Sequence, residues 1–151
     1  MGTKLRWAPW ALLLAAGFAG AAGLVNATPG ASECPQPRFT GRAPDTDYAR
    51  VNPLPRDADV SSAERIYRGD GRTVSCATCH GVKGDGRGEM APMFDPRPRN
   101  FACAQTVNGI PDGQLFWIIR FGSPGTSMPP HPKLSDDEVW RLVSHLRRLA
   151  R

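Results

Sequence analysis

Residues Cys76-Ala77-Thr78-Cys79-His80 read Cys-x-x-Cys-His. Two thiols at this spacing suit two thioether bonds to the vinyl groups of one haem. The histidine directly after them then falls beneath the iron with an imidazole nitrogen to offer. A thioredoxin-like use of the pair is disfavoured, because no βαβ pattern surrounds it. A four-thiolate zinc site from Cys34, Cys76, Cys79 and Cys103 is the stronger rival, but the outer pair is irregularly spaced. The residues therefore predict one covalent haem c, held through Cys76 and Cys79, with His80 as an axial ligand.

The second axial position points to Met128, within Gly125-Thr126-Ser127-Met128-Pro129-Pro130. A thioether is a soft, neutral ligand that favours reduced iron and raises the potential. The flanking glycine and prolines create a non-helical loop able to carry a side chain across a haem face. His131 is the competing ligand and would give a lower-potential bis-histidine site. Met90 and Met93 read as ordinary core or loop methionines, and His145 as a packed or half-exposed helix residue. With both axial positions filled there is no vacant site for substrate, which favours outer-sphere electron transfer over catalysis. A haem enzyme or ligand sensor would instead need a labile distal ligand.

These residues must be positioned by helices, since no strand-like alternation of useful length occurs. The first helix is expected from Ser61, where Ser61-x-x-Glu64 reads as a capping box, to near Gly69. The second starts around Pro111-Asp112, carries Leu115, Phe116, Ile118 and Ile119, and stops at Gly122. The third opens with a further capping box, Ser135-x-x-Glu138. Its apolar positions Val139, Leu142, Val143, Leu146 and Leu149 recur at helical spacing. Acids at its start and Arg147, Arg148 and Arg151 at its end suit the helix dipole. Phe116, Trp117, Phe121 and Trp140 are candidates to line the haem pocket, with ordinary core packing as the simpler reading of each.

Upstream, residues 1–27 read as an export signal. Lys4 and Arg6 precede an apolar run from Ala8 to Val25, and Val25-Asn26-Ala27 resembles a cleavage site. An uncleaved anchor is the alternative, although Pro9 and scattered glycines make a poor span. The expected location is the periplasm, with no stable membrane insertion once the signal is removed. Cleavage would lower the formal charge from +5 to +3. No dense Lys/Arg run with interleaved aromatics is present, so nucleic acid is not an expected partner. Residues 28–58 are rich in proline and read as an extended, irregular arm. Residues 59–151 then form the folded domain.

The order of these motifs resembles class I (mitochondrial-type) mono-haem cytochrome c of the bacterial periplasmic kind. The matching features are an N-terminal helix, Cys76-x-x-Cys79-His80-Gly81, Gly84-Asp85-Gly86-Arg87-Gly88, a middle helix, Met128-Pro129 and a C-terminal helix. The resemblance covers about residues 59–151. It implies an all-α cytochrome c fold, three main helices around one covalent haem, with the proline-rich arm added in front. It also implies that Ala63, Ile66 and Tyr67 meet Leu142, Val143 and Leu146 where the first and last helices cross. Asn52-Pro53-Leu54-Pro55 resembles bacterial respiratory-chain relatives, including the mono-haem subunit of the quinol-oxidising alternative complex III. Gly69-Asp70-Gly71-Arg72 departs from the family pattern as a small insertion near the haem edge.

Cys34 and Cys103 remain. In an oxidising compartment the simplest use of an extra pair is a disulfide tying the arm to Asn100-Phe101-Ala102-Cys103. Two unrelated thiols are the alternative. The expected role is that of a periplasmic single-electron carrier. Its partners would be a donor such as a dehydrogenase or quinol-oxidising complex, and an acceptor such as a terminal oxidase. Membership of a larger respiratory or dehydrogenase complex is the alternative. Lys83, Arg87, Arg97, Arg99, Arg120 and Lys133 fall in segments expected around the haem crevice. They form either a positive collar or, with Asp70, Asp85, Glu89 and Asp95, a mixed solvated surface.

Overall fold

A computed structural model of the chain describes residues 1–2, 33–36 and 40–150. The export signal expected over 1–27 lies outside the described residues except for its first two, as do parts of the arm and Arg151. Among the described residues there is no strand, and no helix is long and apolar enough to cross a membrane. The chain runs α1 (Asp45–Tyr48), α2 (Ser61–Arg68), α3 (Cys76–His80), a 3-10 turn (Ala91–Met93), α4 (Ala104–Val107), α5 (Asp112–Phe121) and α6 (Asp136–Leu149). This is the all-helical architecture that the resemblance implies.

Helix α6 forms as its sequence demands. The Ser135 hydroxyl accepts from the Glu138 amide, and the Glu138 carboxylate accepts from the Ser135 amide at 2.8 Å. Two amides that the helix cannot satisfy internally are thereby paired. Its buried face, Val139, Leu142, Val143 and Leu146, packs against Ala63, Ile66 and Tyr67 of α2. His145 is buried with its ring 5.1 Å from that of Tyr67. Arg147 ties α6 to the start of α5, donating to Asp112 at 2.6 Å and to the carbonyls of Val107 and Ile110.

Two local expectations need correction. The capping box at Ser61 does not form; Ser61 lies inside α2. The Ser61 amide and hydroxyl instead donate to the Asp59 carboxylate at 2.9 Å each, in a turn just ahead of the helix. An aspartate side chain that bonds the backbone two residues on competes for the Ser61 hydroxyl that a capping box would need.

The arm, expected to be irregular throughout, contains α1 and packs on α5. Pro44 starts the turn, its carbonyl accepting from the Asp47 and Tyr48 amides. The Gln114 side chain then grips the arm in both directions. It accepts from the Ala43 amide at 2.7 Å and donates to the Gly41 carbonyl at 2.8 Å. Asn52 donates to the Trp140 carbonyl and the Ser144 hydroxyl. Arg50 lies over the Phe116 ring, 4.1 Å from its centroid, and also reaches Trp140. Proline content suppressed the helical signal in the arm, but tertiary partners supply what local propensity lacks.

Candidate haem site

Helix α3 carries the Cys-x-x-Cys-His string, and a loop wraps its C-terminal end. The amides of Gly86, Gly88 and Met90 donate to the carbonyls of His80, Cys79 and Thr78 at 2.8, 3.1 and 3.0 Å. Carbonyls that a helix end leaves unpaired are thereby satisfied. The approach demands glycine at 88, where a Cβ would fall 2.2 Å from the Thr78 carbonyl oxygen. A five-residue helix with poor intrinsic stability is held in this way by its neighbours.

The Met128 loop is fixed just as closely. At the end of α5, Gly122 adopts φ +84°, and a Cβ there would meet the Met128 carbonyl at 2.9 Å. The loop returns across the helix end: Ser123 N donates to Met128 O, and His131 N donates to Ile119 O, each at 3.2 Å. The Arg120 guanidinium holds the exit, donating to the Leu134 carbonyl and to Asp136 at 2.5 Å.

The four residues read from sequence come together. Cys76, Cys79, His80 and Met128 all line one cavity of about 580 Å³, counting its solvent-open mouth. Two adjoining cavities, of about 390 and 310 Å³ with open solvent counted, are likewise lined by both His80 and Met128. Their walls are mainly apolar, with Leu115, Ile119, Leu142 and Leu146 at the inner end. A flat apolar group reached by two thiols, an imidazole and a thioether fits this crevice. Its inner wall also leaves one polar group without a partner among the described residues: the Ser123 hydroxyl is buried there. Buried polar atoms are nearly always hydrogen-bonded, so such an orphan suits a cofactor with polar substituents.

His80 is buried, and its Nδ1 lies 3.0 Å from the Arg99 carbonyl. A carbonyl can only accept, so Nδ1 carries the proton and Nε2 keeps the lone pair needed to bind a metal. Phe101 stacks on the His80 ring at 4.5 Å between centroids. Sequence reasoning missed both contacts. A backbone carbonyl leaves no residue-type signal, and Phe101 was visible only as a neighbour of Cys103. As free thiols, both cysteines are shifted upward by burial, Cys76 to about 11. They are thus protonated near neutrality, unlike the thiolates of disulfide-exchange sites.

His131 stays at the site, whereas the other candidates separate from it. Met90 and Met93 are not on these cavity walls, and Met93 is exposed. Phe116 and Trp140 pack on one another in the core at 4.3 Å, and Phe121 is largely exposed. The aromatic residues at the site are instead Tyr67, Phe94 and Phe101. His131 is buried on the same cavity as Met128, and burial lowers its pKa. Cys34 and Cys103 are joined in a disulfide with Cα atoms 5.6 Å apart. They cannot complete a four-thiolate site, and no cluster of three or more His, Cys, Asp or Glu suited to a metal occurs among the described residues.

The proposed collar loses two members. Arg99 is buried and Arg120 is spent on the Met128 loop, leaving Lys83, Arg87, Arg97 and Lys133 exposed. The inserted loop at 69–72 is pinned to α6, because Arg72 bridges Asp70 at 2.7 Å and Glu138 at 2.6 Å.

No curated protein matches the chain. Among solved structures it is similar to a protein of the Kuenenia stuttgartiensis reducing HAO-like protein complex Kustc0457/Kustc0458. Identity there is 28%, covering 61% of this chain and 44% of that one, with a TM-score of 0.52. The chain thus spans less than half of that relative. The c-type cytochrome NirC is 24% identical over 60% of this chain and 92% of its own, TM-score 0.43. The KustC0563 c-type cytochrome is 30% identical over 59% and 98%, TM-score 0.45. A family model for cytochrome c matches residues 63–150. With that match over more than half its length, the chain belongs to the cytochrome c family, whose members carry haem covalently and use it for electron transfer.

Proposed function

We propose that this is a mono-haem cytochrome of class I type, exported to the periplasm, that passes single electrons between a respiratory or dehydrogenase donor and a downstream acceptor. The observation that carries the reading is the convergence of Cys76, Cys79, His80 and Met128 on one crevice. A haem bound there supplies a one-electron couple at its iron. Cys76 and Cys79 would anchor the haem covalently, His80 and Met128 would ligate its iron, and the Arg99 carbonyl holds the His80 ring in the tautomer that leaves Nε2 free to bind. The inner wall keeps water away from the couple. The exposed mouth, bordered by Val74, Phe94 and Pro96, is where a partner can approach.

The test is an absorption spectrum of the matured, exported protein, oxidised and reduced, with a denaturing haem stain. Covalent haem keeps the stain through denaturation. Methionine ligation gives the oxidised protein a weak red sulfur-to-iron charge-transfer band, and Met128→Ala is expected to abolish it and lower the potential. A colourless product from a host with working cytochrome maturation overturns the reading. A wild-type protein without the band that readily takes up carbon monoxide when reduced overturns the carrier role in favour of a sensor or enzyme.

A second reading has its own support. The Kuenenia stuttgartiensis relative belongs to a protein complex and is more than twice the matched length. This chain would then be an electron-transfer subunit rather than a free shuttle, and co-purification with other chains separates the two.

A further inference from the structure

The residues on either side of the carbonyl that orients His80 are held by Gln36, which lies outside the family-matched region. Arg99 and Phe101, the acceptor and the stacking partner of His80, lie on one segment of irregular chain. On one side that segment rests on Gly84, whose carbonyl accepts from the Phe101 and Ala102 amides. On the other side it meets the arm. The Gln36 side chain accepts from the Asn100 amide at 2.8 Å and donates to the Pro98 carbonyl at 3.3 Å. The residues immediately before and after Arg99 are therefore bracketed by one amide. The Gln36 backbone amide donates to the Thr106 hydroxyl at 3.0 Å, and the Cys34–Cys103 disulfide closes the far end.

We propose that Gln36 and the Cys34–Cys103 disulfide are positioning residues for the proximal ligand, so that the arm sets the reduction potential. The inference rests on the haem reading above. A histidine that donates its distal N–H to a carbonyl becomes a stronger electron donor through its other nitrogen. Stronger donation favours oxidised iron and lowers the potential. The Arg99 carbonyl can only do this if it stays aimed at Nδ1, and irregular backbone without a helix or strand ladder has no rigidity of its own. The Gln36 bracket and the disulfide supply it on the arm side, as the Gly84 carbonyl does on the other. Releasing them weakens the hydrogen bond, reduces the donation and raises the potential.

The experiment uses full-length, haem-loaded protein carrying Gln36→Ala, Gln36→Glu, or Cys34→Ser with Cys103→Ser. Midpoint potentials come from spectroelectrochemistry, and exchange of the His80 Nδ1 proton from NMR of the reduced form. Gln36→Ala is expected to raise the potential and speed that exchange severalfold, and the cysteine pair to move both the same way. Gln36→Glu keeps an acceptor for Asn100 and loses the donor to Pro98, so it should fall between Gln36→Ala and wild type. If the cysteine variant does not fold, the two Gln36 variants decide, since they leave the arm covalently attached. Variants that melt earlier with wild-type potential and exchange overturn the proposal, leaving the arm a mechanical brace. A lowered potential with unchanged exchange also overturns it, because that marks water entry. Wild-type protein that fails the haem stain overturns the haem reading and this inference together, whereas stained protein with an unmoved potential overturns this inference alone.

Discussion

Single residues in this protein divide by what their chemistry reveals in advance. Cys76, Cys79, His80 and Met128 were readable because each carries a ligating atom on its own side chain. Arg99 was not, because it acts through a carbonyl that every residue possesses. His145 shows a third case, a titratable group whose behaviour depends on its neighbours. Burial against Tyr67 lowers its pKa; Glu64 opposes the shift, and Arg68 and Arg148 add to it. The unfolded chain, with a histidine pKa of about 6.5, then binds a proton more readily than the native state. Stability contributed by neutral His145 is therefore full above that value and is lost as pH falls toward the lower native pKa. The melting temperature is expected to drop between about pH 7.5 and pH 5, and to drop less in His145→Phe, which keeps an aromatic ring against Tyr67. Equal slopes in the two proteins would remove His145 as a cause.

Among the elements, α6 was the most legible. Its capping box, dipole-matched charges and apolar face all agree, so local and global preferences point the same way. Helix α1 was hidden because no local signal outweighs the surrounding prolines, and it exists through contact with α5. That contact runs through Gly113. A Cβ there would fall 2.0 Å from the Asp47 carbonyl oxygen and under 3 Å from those of Tyr48 and Arg50. The neighbours are backbone atoms and cannot swing aside as a side chain could. Gly113→Ala is therefore expected to destabilise the fold by roughly 1–3 kcal/mol, the usual cost of overpacking. Denaturant melts measure the loss, and limited proteolysis should cut the arm sooner than in wild type. Unchanged melting and cleavage would mean the arm does not depend on this approach.

For the molecule as a whole, charge is the property a partner meets first. The formal charge is +5, and it stays positive if the expected signal is removed. Lys83, Arg87 and Lys133 are exposed, while Arg50, Arg72, Arg120 and Arg147 are committed to internal ion pairs. Much of the basic composition thus serves architecture rather than recognition. Oxidation by the anionic hexacyanoferrate(III) should still slow as salt rises from about 10 to 150 mM, because screening shortens from about 30 to 8 Å. A rate independent of salt in a stopped-flow series would show that the crevice mouth is electrostatically neutral.

Residue types and short-range patterning alone pointed to the side chains that meet in the crevice, to the helical class and to the ends of the long helices. Those features rest on side-chain chemistry and short-range periodicity, which need no knowledge of distant chain. The fold itself was needed to show that the arm docks through Gln114 and Gly113, and that Gln36 brackets the residues on either side of the carbonyl facing His80. Each of these joins backbone atoms to residues whose partners are set by three-dimensional approach, and backbone atoms look alike at every position in a sequence.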